Sequence, residues 1–100
     1  MTKCFCKTKK STKQFKRMLS FLKTVSDENR LKIICLLKEG SKCVCEIVDF
    51  LNLPQNLVSH HLRILREQEM VLTKKQGLKI TYSLNNKKLK DIINFLITKL

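Results

Sequence analysis

The chain has 100 residues, 43% of them hydrophobic, with 21 Lys/Arg against 8 Asp/Glu for a formal charge of +13. That is room for one domain, which hides only roughly two thirds of its unfolded surface, and the charge calls for a polyanionic partner. No run approaches the ~18 apolar residues of a membrane span, and the Lys-rich start does not lead into the ~7–15 apolar residues of a signal peptide, so a cytoplasmic chain with no membrane partner is expected.

Residues 1–11 are Lys, Thr, Ser and Cys with one aromatic, which reads as a flexible basic arm carrying Cys4-Phe5-Cys6; residues 12–100 read as the folded domain. Eight Lys/Arg precede Asp27, the first acid. From Gln14 the period is helical, with Phe15, Met18, Leu19, Leu22 and Val25 on one face to about Thr24. Ser26-Asp27-Glu28 is a helix start, with Ser26 as the expected cap and the acids at the positive end of the dipole. The second helix carries Leu31, Ile33, Ile34 and Leu37, encloses Cys35 in its apolar run, and stops at Gly40. A short third helix runs from about Cys43, at the head of a second Cys-x-Cys pair, to Leu51. Asn52-Leu53-Pro54 breaks it, and Pro54 suits the first turn of a fourth helix from about Gln55 to Gln68. This one buries Val58, Leu62 and Leu65 and shows Gln55, Asn56, Ser59, His60, Arg63 and Arg66.

After Met70 the period becomes two. Leu78, Ile80, Tyr82 and Leu84 alternate with Lys79, Thr81 and Ser83, and Val71 to Lys75 pairs with this strand across a turn at Gln76-Gly77. Asn85-Asn86 ends the hairpin. Leu89, Ile92, Ile93, Leu96, Ile97 and Leu100 then form a terminal apolar stripe whose simplest partner is a second copy of the chain.

Two short helices joined by a tight turn and followed by a basic hairpin are the parts of a winged helix-turn-helix, in the order α-α-α-α-β-β-α: mainly helical with a small β-hairpin. The fourth helix would read the major groove of double-stranded operator DNA through Gln55, Asn56, Ser59 and His60. Arg63, Arg66, Lys74, Lys75 and Lys79 would hold phosphates, with affinity that falls steeply with salt. No other protein partner is evident. Two histidines, few acids and no Gly-rich loop leave no catalytic constellation.

Three segments resemble the ArsR/SmtB family of metal-responsive repressors: Val25-Ser26-Asp27-Glu28-Asn29-Arg30-Leu31-Lys32-Ile33-Ile34, Leu57-Val58-Ser59-His60-His61-Leu62-Arg63-Ile64-Leu65-Arg66-Glu67, and Gly77 to Leu84 with its Tyr82-Ser83-Leu84 ending. The likeness covers about residues 15–100. It implies a dimeric winged-helix repressor whose first and last helices form the interface, here through Phe15, Leu19, Leu22, Leu89, Ile92, Ile93 and Leu96. Pro54-Gln55-Asn56 stands where members often have Ser-Gln-Pro.

Ser41-Lys42-Cys43-Val44-Cys45-Glu46-Ile47 is similar to the family's metal-binding box, E-L-C-V-C-D-L, both cysteines in place. Five cysteines, an odd number, in a reducing compartment argue against a disulfide framework. Soft sulfur ligands select Cd(II), Pb(II), Zn(II), As(III), Sb(III) or Cu(I). Arsenical sensors of the family can carry a third cysteine three residues after the second, where this chain has Val48. Cadmium and lead sensors recruit cysteines from the arm, which Cys4 and Cys6 can supply, although only Phe5 separates them. The family's other zinc site, on the last helix, needs His with carboxylates, and Asp91 alone does not make one.

Residues two apart in an α-helix point about 200° away from each other. One ion gripping Cys43 and Cys45 is therefore expected to distort the start of the third helix, with both thiols made acidic by the helix N-terminus. Cys35 reads as core, and His60 and His61, adjacent on the fourth helix, diverge too far to share an ion. Two other functions use the same residues: a thiol-redox or persulfide switch on the same fold, and a basic RNA-binding module whose arm cysteines hold structural zinc.

Overall fold

The computed structural model describes residues 9–99, with side chains from 13 to 98. In chain order the elements are α1 (Lys9–Val25), α2 (Glu28–Leu37), β1 (Lys42–Cys43), α3 (Val44–Leu51), α4 (Gln55–Glu67), β2 (Val71–Gln76), β3 (Lys79–Leu84) and α5 (Asn86–Lys99). This is the mainly helical winged helix-turn-helix the sequence suggests, with one added strand. β1 pairs antiparallel with β3, Lys42 against Tyr82 and Cys43 against Thr81, so the sheet runs β1-β3-β2. A two-residue strand leaves no alternation to read in sequence.

α1 starts at Lys9, ahead of the Gln14 where the apolar period begins. Its inward face is Met18, Phe21 and Thr24, all buried, rather than the Leu19 and Leu22 side, which stays about 40% exposed. Asp27, not Ser26, caps α2: its Oδ1 accepts from the amides of Asn29 at 2.9 Å and Arg30 at 3.1 Å, while the Ser26 hydroxyl donates back to the Lys23 carbonyl. Burial opposes ionisation of Asp27, yet the Arg30 amide, the nearby His61 and Arg30 side chains and the Asn29 amide together hold its carboxyl below the usual range. α2 ends at Leu37 and the chain leaves through Gly40 at φ 140°. Its buried side is Ile33, Leu36 and Leu37, so Cys35 and Leu31, one turn apart, lie on the outer face and are exposed. The expectation of a core Cys35 fails because an apolar run in a helix covers every side of the cylinder, and only one side meets the core.

The core joins α1, α2, α3, α4, β2 and α5 through Met18, Phe21, Ile33, Ile47, Val58, Leu62, Leu65, Met70, Val71 and Ile92. Asn52, in left-handed conformation at φ 55° and ψ 47°, closes α3 with its amide on the Val48 carbonyl at 2.8 Å. Asn tolerates this region, and the reversal sends the chain through Leu53-Pro54 into α4. At the far end of α4, the Gln68 side chain donates to the Ser20 hydroxyl at 2.8 Å, tying the helix to α1.

In the hairpin the turn residues are Gly77 and Leu78, not Gln76 and Gly77, with Gln76 paired to Lys79. Gly77 at φ 62° in the first central position fits a II′ turn. The shift puts Leu78 in the turn, fully exposed, instead of on the apolar face of the strand. Tyr82 and Leu84 keep that face and pack against the core.

Candidate functional site

The polar face of α4 follows from its period. Val58, His61, Leu62 and Leu65 are buried, which turns Gln55, Asn56, Ser59, His60, Arg63 and Arg66 to solvent together. Arg63 Nη2 donates to His60 Nδ1 at 3.2 Å, so these two side chains hold each other on the exposed surface. Pro54 precedes the helix with no side-chain cap, and its carbonyl accepts from the Leu57 and Val58 amides, both at 3.1 Å. The first amides of α4 are left without a side-chain cap, the kind of helix end that suits a phosphate. In the hairpin, Lys74, Lys75 and Lys79 are exposed. The register puts Lys74, Thr81, Gln76 and Lys79 on one face and Lys75 with Ile80 on the other, so the basic residues flank the ribbon rather than line one side.

Cys43 and Cys45 sit where this ribbon meets the helix-turn-helix. Cys43 is both the last residue of β1, opposite Thr81, and the N-cap of α3, with extended backbone at φ −85° and ψ 166°. The cap position reduces the expected divergence of the two side chains: because Cys43 is still extended, Cys45 in the first turn lies near enough for the Cys43 thiol to act on its ionisation. Cys43 is buried and Cys45 exposed.

Glu46 completes the arrangement. Its Oε1 accepts the Cys43 backbone N–H at 3.0 Å, the carboxylate half of a capping box in which a thiol stands in the usual Ser or Thr place. The Cys43 amide and thiol, with the charges of Lys42 and Lys79, hold the Glu46 carboxyl below its usual range. The neighbouring Cys43 thiol, with partial desolvation, pushes the Cys45 thiol up. This reverses the expected acidic thiol. The Glu46 amide at the helix start does favour the thiolate, but the neighbouring thiol outweighs it.

Two adjacent sulfurs, one at the surface, form a donor pair suited to a soft ion. Among the described residues there is no group of three or more His, Cys, Asp or Glu that could hold a metal. Cys4 and Cys6 lie outside the described residues. His60 and His61 have ring centroids 5.8 Å apart, one exposed and the other buried.

The residues proposed for an interface fall into two groups. Leu22, Leu89, Ile92, Ile93 and Leu96 line an apolar groove of about 440 Å³ with Phe21, Val25 and Ile34. Ile92 is itself core, whereas Leu19, Leu22 and Ile93 are exposed and Phe15 half-buried. Sequence reading missed Glu46, whose signal was the Cys-x-x-Glu spacing of a capping box, and His61, whose burial shows only once α4 is docked on α2.

Residues 27–73 match the family described as bacterial regulatory protein, arsR family. The chain is 39% identical over 79 residues to the arsenical resistance operon repressor of Staphylococcus aureus, covering 79% of this chain and 76% of that one. It is 38% identical to the transcriptional repressor SdpR of Bacillus subtilis, over 80% of this chain and 89% of that one. Among solved structures, reduced HlyU from Vibrio cholerae superposes with a TM-score of 0.73 at 28% identity, over 88% of this chain and 94% of that one.

Proposed function

The chain belongs to the arsR family of bacterial regulatory proteins, and from that membership we propose that it is a dimeric repressor that leaves its operator DNA when a thiophilic metal or metalloid ion binds Cys43 and Cys45. As a regulatory protein of this family it is not an enzyme. No helix among the described residues is long and apolar enough to cross a membrane.

The observation that carries the sensing half is the placement of Cys43, at once strand partner and helix cap, beside Cys45 in the first turn of α3. An ion held there would displace the thiol protons and tie the two sulfurs to one centre. Cys43 would then have no thiol proton to share with the Glu46 carboxylate, the group that holds the Cys43 backbone N–H at the start of α3. Through the Thr81 pairing the same residue reaches β3, and Lys79 on that strand already acts on Glu46. The wing and the helix supporting the recognition helix therefore respond to one side chain. Operator binding fixes that geometry, so ion and DNA oppose each other by equal factors. Cys4 and Cys6 of the arm are proposed to complete the ligand set as thiolates. The name of the Staphylococcus aureus relative favours an arsenical among the inducers.

For the DNA half we assign base contacts to Gln55, Asn56, Ser59 and His60, and phosphate contacts to Arg63, Arg66, Lys74, Lys75 and Lys79. We assign the groove between α1, α2 and α5 to a second copy of the chain, with 1–11 as an arm whose last three residues already belong to α1 and 12–100 as the folding unit. Two recognition helices then read half-sites about one helical turn, ~34 Å, apart.

The test is operator binding measured against salt, with the interface variant Ile93→Glu beside the wild type. Ile93 is 53% exposed in the single chain, so the substitution spares the core. Wild type should be a dimer that binds one duplex sequence with a steep salt slope. Ile93→Glu should sediment as a folded monomer with at least about tenfold weaker binding, since one half-site is lost. Equal affinity for unrelated RNA, with unfolding on zinc removal, would favour the RNA-binding reading instead.

A further inference from the structure

We infer that His61 is a positioning residue for the recognition helix: as a neutral imidazole it anchors α4 to α2 through Arg30, and its protonation weakens operator binding. The inference rests on the DNA-binding reading above and concerns a side chain that touches neither DNA nor an inducer.

His61 follows His60 directly, but one is exposed and the other retains 5% of its surface. Arg30 Nε donates to His61 Nδ1 at 3.1 Å. A guanidinium has only donors, so Nδ1 carries no proton and the neutral ring holds its hydrogen on Nε2. The other arm of Arg30 reaches the Thr24 carbonyl near the end of α1, with Nη1 at 3.5 Å, and the Arg30 amide is held by Asp27. Three elements thus meet at one guanidinium: the end of α1, the capped start of α2, and α4 through His61.

The charged groups acting on the ring are Asp27 at the α2 cap, Arg30 on α2 and His60 on its own helix; α1 contributes the uncharged Thr24 carbonyl. Among the described residues, α3 and β2, which also pack on α4, add no charge that acts on it. Burial is the largest influence and disfavours the imidazolium. Asp27 favours it, Arg30 and His60 oppose it, and the ring ends below its ordinary 6.5. A proton on Nδ1 would remove the acceptor and set two cations against each other at hydrogen-bond distance.

The sign follows from that depression. The anchor is intact above 6.5 and is lost as the pH falls through the lower value of the folded state. Added positive charge on a basic surface ordinarily strengthens DNA binding, so loss of affinity in acid is the mark of the broken anchor.

The experiment measures operator affinity of the full chain, with chelator present and salt fixed, from about pH 8 to about pH 5.5. Wild type should weaken measurably across this range, by less than the roughly tenfold that a single proton on an ordinary imidazole could give at the acid end. His61→Asn places a non-titrating amide oxygen near the Nδ1 position; it should recover most of the neutral-pH affinity lost in His61→Ala and flatten the acid limb. Nitrogen NMR of the wild type, free of any concern over variant folding, should show a bare Nδ1 and a protonated Nε2 on His61 at neutral pH. A flat wild-type profile, an acid limb that survives in His61→Asn, or the opposite tautomer overturns the inference while leaving the DNA reading intact. Absence of sequence-specific binding at pH 8 overturns the DNA reading itself, and this inference with it.

Discussion

Replacing Cys43 and Cys45 together by Ser should leave operator affinity within about threefold of wild type and abolish its loss in the presence of thiophilic ions, where couplings of about 5- to 150-fold are typical. The two halves of this result have separate physical causes. Serine is a better N-cap than cysteine, so the capping box with Glu46 survives and α3 starts where it did. The pairing of Cys43 with Thr81 is made by backbone and does not depend on the sulfur. Hydroxyl oxygen, however, is a hard and poorly acidic donor that does not hold Cd(II) or As(III) against water. Anisotropy of labelled operator, with and without inducer, reads both halves at once. Release that persists in the double variant would move the sensing site elsewhere.

A second large effect is expected from the core. Ile47 is fully buried on α3 and belongs to the cluster shared with α2 and α4. Ile47→Ala should cost roughly 2–5 kcal/mol, the transfer term plus the cavity left behind. Domains of this size have about 5–15 kcal/mol in total, so the melting temperature should fall by about 10 °C or more, and operator binding should fail at temperatures the wild type tolerates. Leu31→Ala, on the outer face of α2, supplies the contrast: Leu31 is 49% exposed and the change should stay within about 1 kcal/mol. Thermal or urea unfolding followed by circular dichroism decides it; equal stability of the two variants would contradict the packing described.

These expectations draw unequally on sequence. The elements of the winged helix were legible because each announces itself locally: the period of Val58, Leu62 and Leu65, the break at Asn52-Leu53-Pro54, and the alternation ending in Tyr82 and Leu84. The choice of which apolar residues face inward was less so. α1 offers Leu19 and Leu22 as readily as Phe21, and α2 is apolar nearly all round, so Cys35 could be placed only once α2 was docked. Strand β1 left no trace, since two residues have no period. Its consequence is the largest correction: an extended Cys43 sits beside Cys45 at the cap of α3, and its thiol raises the Cys45 thiol where a helix start alone would lower it. The pairing of Arg30 with His61 spans 31 positions and could not be read from either motif alone.

The most direct test of the account is fluorescence anisotropy of the wild-type protein on labelled DNA from its gene's upstream region, titrated with Cd(II), Pb(II), Zn(II), As(III) and Sb(III) under reducing, chelator-free conditions. Because the Cys45 thiol is held protonated, the titration belongs at mildly alkaline pH, where less proton competition opposes binding. The account predicts sequence-specific binding that is released by at least one of these ions at about one equivalent per site. Tight, specific binding indifferent to all five, yet released by oxidant or persulfide, would contradict metal sensing and assign these cysteines to thiol redox chemistry.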